Sequence, residues 1–252
     1  MKIFIPTNRG PYEQLTYDRI PEEYRAMYGV QLLVNDKELS TQLRDAGYSV
    51  CTHGAGPGIS PSRQWAIDNS SDDKLLMLDD DLANWAYRVA GTTSYKKDEN
   101  GQSFRNAFAV VDSLLDRVAH SGIGHRQFAN NQPLVAPNGR IMRALAYNLN
   151  VVRAQNIRIT LPLMQDFEMN LKLLTSGYSS LNYYGVVQDH YRSNAPGGCS
   201  NIRTVELLEH CARELQRMFP DFVTLTQKDG WDIGKRWDVS VRWQKAYRSS
   251  KA

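Results

Sequence analysis

One short stretch constrains this chain more than any other: Lys74-Leu-Leu-Met-Leu78, an apolar run that ends abruptly in Asp79-Asp80-Asp81. An apolar run of this length without polar alternation fits a strand buried on both faces, as in a mostly parallel sheet covered by helices. Three carboxylates at its end then fall where open α/β sheets bind ligands, outside the carboxyl ends of their strands. Like charges so close disfavour one another's ionisation, and a bound cation relieves the repulsion. Hard oxygen donors at this density suit Mg²⁺ or Mn²⁺. On a strand end Asp79 and Asp81 share a side, which makes them the natural metal pair, with Asp80 in support. The same aspartates would also serve as a helix N-cap or an acidic turn, since Leu82-Ala-Asn-Trp85 can open a helix.

The rest of the chain alternates strands and helices. Lys2-Ile-Phe-Ile5 reads as a first strand stopped at Pro6, followed by the polar loop Thr7-Asn8-Arg9-Gly10. Val30 to Val34 and Tyr48 to Thr52 are further strands, the second leading into the glycine-rich loop of residues 53–58. Ser60-Pro61 predicts a capped helix start carrying Arg63. Thr92 to Gly101 is polar and reads as a surface loop. Phe104, Phe108, Val111, Leu115 and Val118 recur at helical spacing between Ser103 and His120. Gly122 to Gln132 reads as irregular. A helix over Leu163 to Ser176 presents Met164, Phe167, Leu171 and Leu174, with Gly177 at its C-cap. Leu181 to Val187 reads as a strand reaching Asp189-His190, and Ile202 to Phe219 as an amphipathic helix stopped by Pro220.

A chain of 252 residues, 42% hydrophobic and 23% charged, fits one α/β domain over residues 1–252. No apolar run approaches the roughly 20 residues that span a bilayer, so a cytosolic protein without membrane contact is expected. Cys51, Cys199 and Cys211 are odd in number and far apart, which excludes a disulfide framework. The net charge of +3 is uneven: from Phe222 onward seven Lys and Arg stand against three acids. This basic segment, residues 222–252, also carries Trp231, Trp237 and Trp243, so it is suited to phosphates and bases, or to a solvated surface. Neither a phosphate-binding Gly-x-x-x-x-Gly-Lys-Ser/Thr motif nor a dinucleotide fingerprint is present.

A second acidic cluster, Gln165-Asp166-Phe167-Glu168, opens the helix in the second half. Carboxylates there suit the helix dipole. Asp166 also follows an extended Pro-Leu segment from which it can reach a cleft and act as a general base.

Taken together, the polar loop after strand one, Ser62-Arg63, Leu-Met-Leu-Asp79-Asp-Asp81, Asp166-Phe-Glu-Met-Asn-Leu and the late His190 resemble the GT-A glycosyltransferases. A closer resemblance is to the TET-associated glycosyltransferases of bacteriophages. It rests on Asn8-Arg9-Gly, Ser62-Arg63-Gln, Leu78-Asp-Asp-Asp-Leu82, His125-Arg-Gln-Phe, the stretch from Leu161 to Asn170, and Gly197-Gly-Cys-Ser200. The resemblance implies a GT-A type nucleotide-diphospho-sugar transferase fold, with a mixed, mostly parallel central sheet flanked by helices. It also implies transfer of a sugar from a nucleotide-sugar donor, such as a UDP-sugar, to the hydroxymethyl group of a 5-hydroxymethylcytosine-type base in DNA.

Carried over by position, Thr7, Asn8 and Arg9 would meet the nucleoside and Arg63 the diphosphate, with Asp79 and Asp80 beside the donor. Asp79, Asp81 and His190 would hold Mn²⁺ or Mg²⁺, and Asp166 would be the base. On the acceptor side the candidates are His125, Arg126, Glu168, Trp231 and Trp237. Gln165 stands where many inverting relatives carry Glu, which leaves the stereochemical outcome open. The alternatives are a GT-A enzyme with a polysaccharide or protein acceptor, and a metal-dependent nuclease or nucleotidyltransferase in which Asp166 and Glu168 face the Asp79 to Asp81 cluster.

Overall fold

A computed structural model describes residues 1–189, 203–229 and 235–251. From the N-terminus its elements are β1 (Lys2–Pro6), α1 (Leu15–Arg19), α2 (Glu22–Met27), β2 (Gln31–Val34), α3 (Lys37–Asp45) and β3 (Val50–Thr52). There follow α4 (Ile59–Asn69), β4 (Lys74–Leu78), β5 (Asn84–Arg88), β6 (Tyr95–Lys97), α5 (Ser103–Leu114) and β7 (His120–His125). Next come β8 (Val135–Pro137), β9 (Ala144–Asn148), α6 (Leu149–Ala154), α7 (Gln165–Thr175) and β10 (Ser180–Asp189). The C-terminal part holds α8 (Val205–Met218), β11 (Val223–Lys228), β12 (Arg236–Val241) and α9 (Trp243–Ser249).

The main sheet has the order β3-β2-β1-β4-β9-β7-β10-β5-β6, with β8 paired to β10. Strands β1, β2, β3, β4, β6, β7 and β10 run one way, and β5, β8 and β9 run against them. The sheet is thus mixed and mostly parallel. Connections from β1 step outward through β2 to β3, and the chain then returns to lay β4 on the other side of β1. Such a reversal opens a crevice at the carboxyl ends of the two inner strands, because their following loops diverge to opposite sides. Thr7 to Arg9 and Asp79 to Asp81 follow those two strand ends.

Side chains on these strands alternate between two cores with the period of two that a strand imposes. Ile3, Ile5, Leu76 and Leu78 enter a cluster with Tyr17 of α1 and Ile20 just after it, Leu43 of α3, and Phe104 and Phe108 of α5. Phe4, Leu75 and Met77 enter another with Ala66 and Ile67 of α4, Val152 of α6, and Met169 and Leu173 of α7. The central strand is therefore apolar throughout because both its faces are covered, as the unbroken run requires. Helix α7 is shared: its other side, Phe167, Leu171 and Leu174, packs against Ala212 and Leu215 of α8, Val223, Val239 and Ala246.

Several expectations need correction. Residues after Gly122 were expected to be irregular, yet β7 is a buried interior strand between β9 and β10. Its glycines explain the difference: a Cβ at Gly122 would strike Ile141 and the Ala144 carbonyl, and one at Gly124 would strike the Tyr184 ring. Glycine here permits close approach within a strand and does not mark a loop. The expected surface loop over Thr92 to Gly101 contains the edge strand β6. Helix α5 ends at Leu114, well before His120. Helix α4 begins at Ile59 behind Gly58, whose φ of 103° an L side chain rarely adopts. Ser60 is therefore not its cap; its hydroxyl donates to the Leu161 carbonyl at 2.6 Å and ties α4 to the segment before α7. No helix starts after Asp81, since the chain turns directly into β5. The basic segment 222–252 is an antiparallel pair, β11 with β12, followed by α9. No helix among the described residues is long and apolar enough to cross a membrane.

Candidate active site

The loops after β1 and β4 are bound to each other by the side chains they carry. Thr7 Oγ1 donates to Asp80 Oδ2 at 2.7 Å, and Arg9 Nε lies 3.2 Å from the same oxygen. Gln14 Nε2 donates to the Arg9 carbonyl at 2.7 Å, which fixes the loop that presents Arg9. Beneath them Thr16, fully buried, donates through its hydroxyl to the Asp79 carbonyl at 2.6 Å and accepts from the Leu82 amide at 2.8 Å. The turn carrying the aspartates is thus held from behind by one threonine.

The three consecutive carboxylates diverge onto three different arginines. Asp79 Oδ1 accepts from Arg63 Nη2 at 2.5 Å, and the Arg63 side chain is only 3% exposed. Asp80 meets Arg9, and Asp81 Oδ1 lies 3.5 Å from Arg143 Nη1. These partners do not complete the neutralisation. Burial pushes the Asp79 carboxyl up to about 6, with Asp81 adding repulsion and Arg63 opposing it. Asp80 is also raised by burial, against the pull of Arg9 and the Thr7 hydrogen bond. A site in which buried carboxylates resist ionisation despite adjacent arginines is short of positive charge.

Across the crevice Asp166 occupies the first turn of α7, and its Oδ2 lies 3.4 Å from Arg140 Nη2. The Arg140 guanidinium sits over the Phe167 ring at 4.1 Å and that of Phe128 at 5.9 Å, so aromatic faces hold it toward Asp166. Two non-glycine residues beside the site, Arg143 (φ 66°) and Met164 (φ 60°), take left-handed backbone. Met164 stands at the N-cap of α7 and sets the turn from which Asp166 projects. Such conformations persist only where the surroundings enforce them, and they concentrate at functional sites.

Thr7, Asn8, Arg9, Arg63, Asp79, Asp80, Asp81, His125, Asp166 and Trp237 all line one cleft of roughly 1440 Å³. The sequence reading had taken them from six separate segments. Arg126 does not line it: its guanidinium lies 5.0 Å from the Tyr95 ring centre and donates to Asn130. Glu168, expected on the acceptor side, is fully buried behind α7. It accepts from the Thr160 and Leu161 amides, the Thr160 hydroxyl and Lys172 Nζ, so its carboxylate is saturated and cannot meet an acceptor. His190 and Trp231 lie outside the described residues. Asp189, the last residue of β10, has Oδ1 3.6 Å from His125 Nε2.

Arg140, Arg143 and Thr16 went unrecognised in the sequence. No motif surrounds them, and their roles arise from contacts with residues 26, 62 and 63 positions away. Among the described residues no group of three or more His, Cys, Asp and Glu could hold a metal ion. The cleft does offer the hard-oxygen pair Asp79 and Asp81, and Asp81 Oδ1 is buried with no hydrogen-bond donor among the described residues, the Arg143 guanidinium at 3.5 Å being an ion pair only. That orphaned oxygen, together with the deficit of positive charge, fits a divalent cation completed by ligands from elsewhere.

Comparison with known proteins bears on the same region. A family model described as TET-Associated Glycosyltransferase matches residues 1–198. No curated protein sequence matches the chain. Among solved structures, TarS residues 1–349 of S. aureus aligns with a TM-score of 0.49 and 12% identity, covering 86% of this chain and 66% of that one. A mycobacterial protein aligns at 0.50 and 12%, covering 95% and 82%. Glucosyl-3-phosphoglycerate synthase from Mycobacterium tuberculosis, crystallised with Mn²⁺, uridine diphosphate and phosphoglyceric acid, aligns at 0.49 and 13%, covering 95% and 85%. At such identity these likenesses concern the fold alone.

Proposed function

This chain belongs to the TET-associated glycosyltransferase family, and on that premise we propose that it moves a sugar from a nucleotide-diphosphate donor to the hydroxymethyl group of a modified pyrimidine in DNA. It is a glycosyltransferase with the GT-A arrangement of strands. The observation that carries the finer reading is the pairing within one cleft: carboxylates matched to arginines at the switch point, and a separate carboxylate, Asp166, beside Arg140 on the opposing helix.

Glycosyl transfer makes two demands, charge stabilisation on a departing diphosphate and removal of a proton from the attacking hydroxyl. Arg63 and Arg143 supply positive charge beside Asp79 and Asp81, in a crevice where low dielectric strengthens each interaction. Asp79 and Asp81, with His190, would hold Mn²⁺ or Mg²⁺, which when bound supplies further neutralisation of the diphosphate. Thr7, Asn8 and Arg9 border the same crevice and would orient the nucleoside end of the donor. Asp166 takes the proton from the acceptor hydroxyl as the new glycosidic bond forms, and Arg140 keeps its carboxylate in one orientation.

The nuclease alternative drew on Asp166 and Glu168 to face the aspartate cluster, and the burial of Glu168 among four donors removes one of the two. The acceptor class is tested by incubating the protein with a panel of nucleotide sugars and hydroxymethylated DNA, then weighing the released nucleosides. The reading expects a nucleoside heavier by one sugar residue, dependent on both substrates. Transfer only to a polysaccharide or protein acceptor, with DNA unchanged, would refute the DNA assignment.

A further inference from the structure

The family match ends at residue 198, yet one wall of the cleft is built from residues beyond it. The chemistry of that wall differs from the donor side. Five cations, Arg203, Lys228, Arg236, Arg242 and Lys245, line the cleft there against one carboxylate, Asp238, among the described residues. Asp238 is already taken by Lys228 at 2.8 Å, whereas Arg242 is exposed and makes no ion pair among the described residues. The wall also presents indole rings. Trp237 lines the cleft with the Arg213 guanidinium 5.2 Å from its ring, and Trp243 stacks on Phe167 at 5.7 Å. Phe167 directly follows Asp166 and carries Arg140 on its face, so an aromatic surface continues from the base candidate to the basic wall.

This wall is fastened to the catalytic body. Gln244 Nε2 donates to the Pro137 and Asn138 carbonyls at 2.7 and 3.2 Å, and Val223, Val239 and Ala246 share a core with α7. A fixed row of cations beside aromatic faces suits a polynucleotide: Lys and Arg neutralise phosphates, and indoles accept unstacked bases of any sequence. The Asp166 side chain is only 15% exposed within the cleft, and an unpaired or extruded base reaches such a position without the rest of a duplex having to follow.

We infer that the β12 and α9 wall is the strand-gripping element, holding the phosphodiester backbone of an unpaired or extruded acceptor nucleotide while its base is presented to Asp166. The inference rests on the proposed DNA acceptor and names the face that receives it.

The test is direct binding of a labelled, unmodified single-stranded oligonucleotide, followed by fluorescence anisotropy without donor. Reversing two exposed cations together, Arg242→Glu with Lys245→Glu, is expected to weaken binding about tenfold or more. It should also reduce the slope of log Kd against log salt by about 1.4, the value for two phosphate contacts on a single strand. Lys96→Glu with Lys97→Glu on the edge strand β6, outside this cleft, applies the same charge change and should leave binding unaltered. Failure of the wild-type protein to bind, unchanged binding in the first pair, or equal loss in the second pair would each overturn the inference. Transfer to hydroxymethylated DNA is read separately by nucleoside mass, so loss of the acceptor reading and loss of the wall are distinguishable results.

Discussion

At the scale of single residues, the site depends on how charge is distributed among neighbours that the chain order does not reveal. Asp166 stands apart from the crowded aspartates, with Arg140 as its one ion-pair partner among the described residues. Its amide replacement keeps shape and removes proton acceptance. Asp166→Asn is expected to lower kcat by about 10² to 10⁴, the usual worth of a general base, while donor affinity by calorimetry stays unchanged. Undiminished turnover would take Asp166 out of that role. A second residue, His120, is fully buried, bonded through Nδ1 to the Ala146 carbonyl and stacked on Tyr147. Burial holds its pKa down to about 4, below the ordinary 6.5. Between those values the unfolded chain binds the proton that the folded one refuses, so stability falls as pH drops from 6.5 to 4, by about 3 kcal/mol in all. Asp79, raised to about 6, has the opposite sign between 3.8 and 6. Comparing His120→Gln with wild type by denaturant titration isolates the histidine: the variant should lose this acid-side slope, and an identical slope in both would exclude it.

At the scale of elements, the buried strand β4, the carboxylates at its end and helix α7 were legible because each has a strong local signature: an unbroken apolar run, a repulsive cluster, a 3.6-residue period. Strand β7 was not legible. Its sequence, His-Ser-Gly-Ile-Gly-His, looks like a loop until Ile141 and Tyr184 are seen to occupy the space that its side chains would need. Gly124→Ala is accordingly expected to destabilise the protein by about 1 to 3 kcal/mol through overpacking, read as a lowered midpoint of unfolding. A neutral midpoint would contradict the close-approach explanation. The acidic cluster from Gln165 opens α7 as expected, but the helix begins two residues after Leu163, because the left-handed turn at Met164 has no signal in a methionine.

At the scale of the whole molecule, the switch point at β1 and β4 explains why donor-side residues from distant segments converge; a ligand site at the carboxyl end of β4 followed from the buried run that ends in aspartates, whereas the strand order that makes the switch did not. Nor did the C-terminal unit: its basic, tryptophan-bearing composition fitted phosphate and base contacts or a solvated surface alike, and did not reveal that β11, β12 and α9 share a core with α7. Removing residues 204–252 would expose Phe167, Leu171 and Leu174 on the helix that carries Asp166. That truncation, although the whole matched region, residues 1–198, remains, is expected to yield insoluble or strongly destabilised protein; a soluble product with the wild-type unfolding midpoint would show the unit to be dispensable. The account as a whole turns on the aspartate cluster binding a donor diphosphate through a divalent ion. The most direct measurement is calorimetric titration of a panel of nucleoside diphosphates into wild type and Asp81→Ala, each with Mn²⁺ and with chelator. The prediction is that at least one nucleotide binds the wild type with Mn²⁺, at least about tenfold more weakly under chelation, and that Asp81→Ala removes the dependence on metal while keeping the fold. Equal binding with and without metal in the wild type, or an unchanged metal dependence in the variant, would contradict it.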